Sequence, residues 1–427
     1  MVEITNIKAI ECLDSRGLPT VSCCVYLEDG CVGHASVPSG KSVGQFESVE
    51  LRDIASKRYG GKGVRQAVRN IHEIIKPALI GQNAFEQQVI DAIMIGLDED
   101  AQKAHLGANA TLAVSVAVAR AASASMGVPL YQYLKGNDPL VLPVPYVNVI
   151  NGGAHANNGI DIQEFMIVPS GVSSFSQAMQ CASEIFHQLI HHYGKLGVST
   201  AVGDEGGLAL PLGSSEEALE GLMHVIESTG YSLGTDVTLA LDIAASELYR
   251  DGLYQFEGKT YDVDAWIDRL ARWIEGYPIV SVEDPMADGD YHGWQKFTEI
   301  FNGQIQTVGD DVFVTHHERL RQGIRDGVGS AILIKPNQVG TLTETMMAIG
   351  VAQSNNYGVM VSHRSGDTGD TLIADLAVAV GAGQIKTGSM SRGERTEKYN
   401  RLLWIESEMD QPHYAGKPRV QQGKHVS

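Results

Sequence analysis

Six short apolar runs in the last two-thirds of the chain each end on a charged or acid–base side chain. Val237–Leu241 runs into Asp242, Ile279–Val282 into Glu283 and Ile305–Gly309 into Asp310. Ala331–Ile334 then meets Lys335, Val359–Ser362 meets His363, and Gln384–Ile385 meets Lys386. The intervals of roughly 20–40 residues hold one helix and two loops each, the spacing of βα units. Near-continuous apolar runs are what parallel strands buried on both faces require. In a closed βα barrel every parallel strand opens on the same face, so three carboxylates, two lysines and a histidine are predicted to converge on one mouth. Carboxylates that converge need a cation, and an oxygen-only donor set suits a hard one such as Mg²⁺.

Two further strand candidates, Pro145–Ile150 and Glu164–Val168, precede these units. The Gly/Asn-rich segment between them is too short for a helical crossover, so they are expected to be antiparallel neighbours. Helices are predicted over Ser174–Tyr193 and Ser215–Thr229. The resulting order is an α/β barrel of ββαα(βα)₆ type. Ahead of it, strands are predicted over 3–13, 20–28 and 31–37, then a helical region from Val64 to Gly127, an α+β arrangement. Lys135–Pro139, followed by Pro143 and Pro145, reads as the linker. The expected division is therefore 1–137 and 138–427, the second being the catalytic barrel.

A chain of 427 residues exceeds the usual size of one core. Its net charge of −19 argues against a nucleic-acid or anionic-membrane surface. No apolar run reaches a membrane-spanning length, and Met1–Ile10 has no signal-peptide character. Five cysteines, Cys12, Cys23, Cys24, Cys31 and Cys181, without CxxC pairs suggest reduced thiols in a cytoplasm. Gly60-Gly61-Lys62-Gly63 lacks the spacing of a phosphate loop and reads as a helix-initiating turn.

The ββαα(βα)₆ order and a series of motifs resemble the enolase family over essentially the whole chain. The motifs include Leu13-Asp14-Ser15-Arg16-Gly17, Val37-Pro38-Ser39-Gly40, Asn151-Gly152-Gly153-Ala154-His155, Gln163-Glu164-Phe165-Met166 and Gly203-Asp204-Glu205-Gly206-Gly207. They continue with Ser281-Val282-Glu283-Asp284-Pro285, Gly309-Asp310-Asp311, Ser362-His363-Arg364-Ser365-Gly366 and Ile385-Lys386-Thr387-Gly388.

The resemblance implies reversible dehydration of 2-phosphoglycerate to phosphoenolpyruvate, a step of glycolysis and gluconeogenesis. It implies Mg²⁺ on Asp242, Glu283 and Asp310, and a second Mg²⁺ near Ser39. A lysine base beside one or two Mg²⁺ is the known pattern of enolase-superfamily sites, not a deduction from this chain. Lys335 matches that base, and it needs a depressed pKa, which nearby Mg²⁺, Lys386 and desolvation would supply. Glu205 matches the acid that protonates the departing hydroxyl. Glu164 is its neighbour, and a close carboxyl pair can hold one proton at neutral pH. Arg364 and Ser365 match a phosphate-binding pair, Lys386 a carboxylate anchor, and His155, Gln163 and His363 other substrate contacts. Asp284 and Asp311 are expected to point elsewhere, by strand alternation.

The chain departs from the family pattern in several places, among them Pro336 after Lys335 and Gly393 in Arg392-Gly393-Glu394-Arg395. Lys41 and Val43 replace alanine and threonine in the cleft loop. Gly366-Asp367-Thr368-Gly369-Asp370 loses one carboxylate and shortens another. Ile10, Trp404 and Ser407 stand where family members carry arginine, arginine and an acid at their subunit contact, so a homo-oligomer, at least a dimer, with an apolar contact is expected. Two other function classes compete. An acid-sugar dehydratase of the same superfamily would carry a Lys-x-Lys pair, which this chain lacks. A non-catalytic binding protein would have lost a base or a metal ligand.

Overall fold

The computed structural model describes residues 1–41, 44, 46–136 and 139–416. Strands β1 (Ile4–Leu13), β2 (Pro19–Leu27) and β3 (Val32–Ser36) form an antiparallel meander. One face, with Ile7, Val21, Val25 and Ala35, is buried against the helix Ala108–Ser125. That helix is built from small residues and is buried on nearly every side, which lets it approach the sheet closely. At Gly33 a Cβ would lie 2.0 Å from the Ala117 carbonyl oxygen. The predicted helical region is broken into shorter pieces: Arg65–Asn70, a π-turn over Ile71–Ile75, Lys76–Leu79, then Gln87–Asp98. At the Gly60–Gly63 turn the donors of the following helix are already engaged, because the Asp53 carboxylate accepts from the backbone N–H groups of Arg65 and Gln66. The turn is a capped helix start.

The second core is a closed eight-stranded barrel. Its first strands, β4 (Val144–Asn151) and β5 (Glu164–Val168), are antiparallel, and β5 is antiparallel to β6 (Thr238–Asp242). After β6 comes a small meander, β7 (Tyr249–Arg250), β8 (Leu253–Phe256) and β9 (Lys259–Tyr261). Sequence reasoning did not foresee it, since its two- to four-residue strands are too short for a period-2 pattern to register. The barrel then continues with β10 (Ile279–Glu283), β11 (Gln306–Gly309), β12 (Ala331–Ile334), β13 (Gly358–Ser362) and β14 (Gly383–Lys386). These pair in parallel, and β14 returns to β4 while β10 closes on β6. The ββαα(βα)₆ order is the observed one.

Barrel helices begin where the sequence supplies caps. Ser174, Ser214, Asp262, Asp290 and Thr341 each accept a hydrogen bond from the backbone N–H three residues on. The two cores are tied by partly buried polar contacts. Asp91 accepts from both the N–H and the hydroxyl of Thr343, at 3.0 and 2.6 Å. Lys103 pairs with Glu344 at 2.8 Å, and Arg120 grips Asp370 through both terminal nitrogens at 2.6 and 2.7 Å. The expected junction at 137/138 falls on Asn137 and Asp138, which lie outside the described residues, as do Val43 and residues 417–427. No helix among the described residues is long and apolar enough to cross a membrane, and all five cysteines are unpaired.

Candidate active site

The strand register brings the six predicted chain ends together. Glu283 and Glu164 both lie opposite Asp242 on neighbouring strands, and Ser362 lies opposite Lys386. The Lys386 ammonium sits among three buried carboxylates: Asp242 at 2.9 Å, Glu283 at 2.8 and 2.9 Å, and Glu164 at 3.2 Å. Gln163 donates to the same Asp242 carboxylate at 3.1 Å. Lys335 pairs with Asp310, whose other oxygen accepts from Gln338 at 3.0 Å. Asp242, Asp310, Lys335, Lys386, Gln163 and Glu164, with His155, Glu205, His363, Arg364, Ser365 and Lys41, line one cleft at the barrel mouth, while Glu283 reaches it only through its contact with Lys386.

Two adjacent acids join them against expectation. Asp284 has φ +40°, so the strand has already ended and alternation no longer sets its direction. Its buried carboxylate accepts from the N–H groups of Asp310 and Asp311 at 2.8 and 3.0 Å. Asp284, Asp310 and Asp311 place oxygens within 4.8 Å of one another and border the cleft. Burial, then the Asp310 charge, pushes Asp311 up to about 7.

This electrostatic arrangement fits a hard cation. Burial and the Asp242 charge push Glu283 well above the usual carboxylate range, so the oxygen-rich group is short of positive charge even with Lys386 and Lys335 beside it. A divalent ion on Asp242, Glu283 and Asp310 would relieve that, with oxygen donors only. Ser39 stands apart from this group. Its hydroxyl lies 3.0 Å from Arg16, 2.8 Å from Arg52 and 3.2 Å from Glu50, and it does not line the cleft.

Burial and charged neighbours act in different directions on Lys335 and on the two carboxyls. Burial pushes the Lys335 ammonium down, but the neighbouring carboxylates, Asp310 foremost and Glu283 with it, together hold it above its ordinary value. The depressed pKa expected for a base is therefore absent while Asp310 is free to pair with it. Glu164 is pushed well up by burial and by Glu205, whereas Glu205, although desolvated, is held well down by His155 and His363. The two carboxyls of this pair are thus pulled in opposite directions.

The surroundings of Glu205 explain this. His155 Nδ1 lies 3.4 Å from Glu205 and 3.5 Å from Glu164, and His363 Nε2 lies 3.5 Å from Glu205. Asn148 donates to Glu205 at 3.1 Å. Burial lowers His363 to about 4, so its ring is neutral at pH 7. His155 Nδ1, Glu164 Oε2 and His363 Nε2 are buried without a hydrogen-bond partner, which marks polar capacity turned toward the cleft.

Arg364 is buried and pairs with Glu47 of the other core at 2.9 Å, and it also donates to Asn337 at 3.3 Å. Lys41 Nζ lies 2.9 Å from Asp204 Oδ2, so the substituted loop residue bridges to the segment carrying Glu205.

Comparison with known families settles the lineage. Residues 4–134 match the family model described as the enolase N-terminal domain, and residues 139–422 match the enolase C-terminal TIM barrel domain. The chain belongs to the enolase family. An enolase-superfamily enzyme of lyase type follows from both halves together. Sequence reasoning missed three residues of this enolase-family site. Asn148 carried a signal, an amide inside the apolar strand Val144–Asn151. Glu47 and Arg395 carried none, because their partners lie 317 and about 30 residues away.

Proposed function

We propose that this protein catalyses the reversible dehydration of 2-phosphoglycerate to phosphoenolpyruvate and water. The observation that carries the reading is the buried carboxyl pair Glu164 and Glu205, both facing His155, in the same cleft as a lysine–carboxylate group on the ends of β6, β10, β11, β12 and β14. Asp242, Glu283 and Asp310 would hold Mg²⁺, which supplies electrostatic stabilisation of the negative charge that develops on the substrate carboxylate.

The chain's own groups do the rest. Lys335 takes the C2 proton once Asp310 no longer holds its ammonium form. The carboxyl pair returns a proton to the C3 hydroxyl, which leaves as water. Glu205 is assigned as the member that presents it, with Glu164 as its partner. Lys386 and Gln163 orient the substrate carboxylate, Arg364 and Ser365 the phosphate, and His155 and His363 supply the remaining polar contacts. For Ser39 to reach a second Mg²⁺, its hydroxyl must exchange the two guanidinium partners for the ion.

We also infer a homodimer. Ile10 and Trp404 are 62% and 66% exposed, apolar surface suited to a subunit contact. Five unpaired cysteines suit the reducing cytoplasm in which we place the reaction. The test is ultraviolet absorbance of phosphoenolpyruvate formed from 2-phosphoglycerate, with and without Mg²⁺. Absence of Mg²⁺-dependent product from folded protein would overturn the assignment.

A further inference from the structure

Arg395 is fully buried in the first turn of the helix Gly393–Glu408, yet no carboxylate takes its terminal nitrogens. Its four terminal N–H groups go to four different acceptors. Nη1 donates to His363 Nδ1 and to the Arg364 carbonyl, both at 2.6 Å. Nη2 donates to the Ser365 carbonyl at 2.7 Å and to the Asp204 carbonyl at 3.1 Å. Its nearest carboxylate oxygens belong to Glu394, 3.3 Å from Nε, and Asp367, 3.9 Å from Nη1. The backbone makes room for this side chain at Gly388, where φ is +87° and a Cβ would lie 2.7 Å from Arg395 Cδ and 2.8 Å from the Glu205 carbonyl oxygen.

The chemistry of the first contact has a consequence for His363. A guanidinium can only donate, so Nδ1 must offer its lone pair and the ring proton of the neutral imidazole must sit on Nε2. Nε2 is the atom 3.5 Å from Glu205. In the opposite tautomer a lone pair would face that carboxylate. The other three contacts bind the backbone on both sides of the same point: Asp204 directly precedes Glu205, while Arg364 and Ser365 directly follow His363.

We infer that Arg395 is a positioning residue: it fixes His363 as its Nε2–H tautomer, aimed at Glu205, and clamps the Asp204–Glu205 segment to the His363–Ser365 turn. The inference rests on the reading of Glu205 and Arg364–Ser365 as substrate-facing groups. A lysine cannot substitute, having three donors on one point and no planar fork.

The experiment is long-range ¹H–¹⁵N correlation on the full-length protein labelled at histidine, with the His363 signals assigned by their loss in His363→Gln. Wild-type protein should show a protonated Nε2 and an unprotonated Nδ1 at this ring. A protonated Nδ1, or averaging between the two tautomers, would overturn the inference without any variant being made. Arg395→Met and Arg395→Lys, each checked for fold by near-ultraviolet circular dichroism, should show a tautomer mixture. Turnover of 2-phosphoglycerate should fall roughly 10–100-fold, the usual cost of losing a group that orients a site residue. A folded variant that keeps a pure Nε2–H ring and full turnover refutes it. Failure of the wild-type protein to turn over 2-phosphoglycerate would count against the proposed reaction, while the tautomer measurement would still decide the role of Arg395.

Discussion

Replacing Lys386 by methionine tests the charge balance of the cleft directly. The ammonium is buried and touches three carboxylates at 2.8–3.2 Å, and Asp242 first, then Glu164 and Glu283, hold it well above its ordinary pKa against the cost of burial. Removing one partner of a buried ion pair costs about 3–5 kcal/mol. Spread over the unfolding entropy of a chain this long, that is a fall in melting temperature of roughly 3–6 °C at pH 8. The loss depends on pH in a fixed direction. Glu164 and Glu283 are already pushed up by burial and by neighbouring negative charge, and without Lys386 they rise further. A carboxyl raised in the folded state binds protons that the unfolded chain has released, so its penalty grows as pH rises above the ordinary carboxylate value, about 4.3. The melting difference between Lys386→Met and wild type should therefore shrink markedly at pH 5. Millimolar Mg²⁺ should stabilise the variant more than the wild type, because Lys386 and a cation compete for Asp242 and Glu283. Calorimetry or fluorescence melting at pH 5 and 8, with and without Mg²⁺, provides the measurement. An equal melting loss at both pH values would refute the reasoning.

Further predictions follow from the proposed roles. Lys335→Ala should stop exchange of the substrate C2 proton with solvent, whereas Glu205→Gln should keep some exchange while losing water formation, each with more than about a 10²-fold loss of turnover; proton NMR of 2-phosphoglycerate in D₂O separates them. Lys41→Ala removes a half-exposed ion pair worth at most about 1 kcal/mol, so KM should rise no more than about fivefold at low salt and converge on the wild type at high salt. A KM unchanged at all ionic strengths would show that Lys41 acts only on Asp204. Trp404→Ala should weaken a dimer whose dissociation is otherwise insensitive to salt, and sedimentation from low to high ionic strength reads both effects.

Much of the barrel was legible because its strands are buried on both faces and end on residues that apolar runs do not tolerate. Asp242, Asp310, Lys335 and Lys386 could be placed at one mouth from that punctuation alone, with Glu283 held against Lys386. What sequence reasoning could not carry was anything decided by pairing across distance. Strand alternation assigned Asp284 and Asp311 to the wrong side because it cannot see where a strand stops, and the left-handed Asp284 is that stop. The opposite pulls on Glu164 and Glu205 depend on two histidines arriving from separate loops. Arg395 looks like any charged residue in a helix's first turn, where solvent exposure is the rule. Its burial is set by acceptors on two other segments, Asp204 and His363–Ser365.

The contacts that tie the two cores have an evolutionary consequence. Arg364, from the barrel, is neutralised by Glu47, from the other core, with both side chains 5% exposed, and Asp91 completes the first turn of a barrel helix through Thr343. A barrel inherited without its companion would carry a stranded guanidinium at the cleft and an unfinished helix start beside it. Recombination between related genes that exchanged one half alone would import mismatched partners at Glu47, Asp91, Lys103 and Arg120 together. The two halves are thus expected to travel through descent as a single unit, and changes on one side of the seam to be answered on the other.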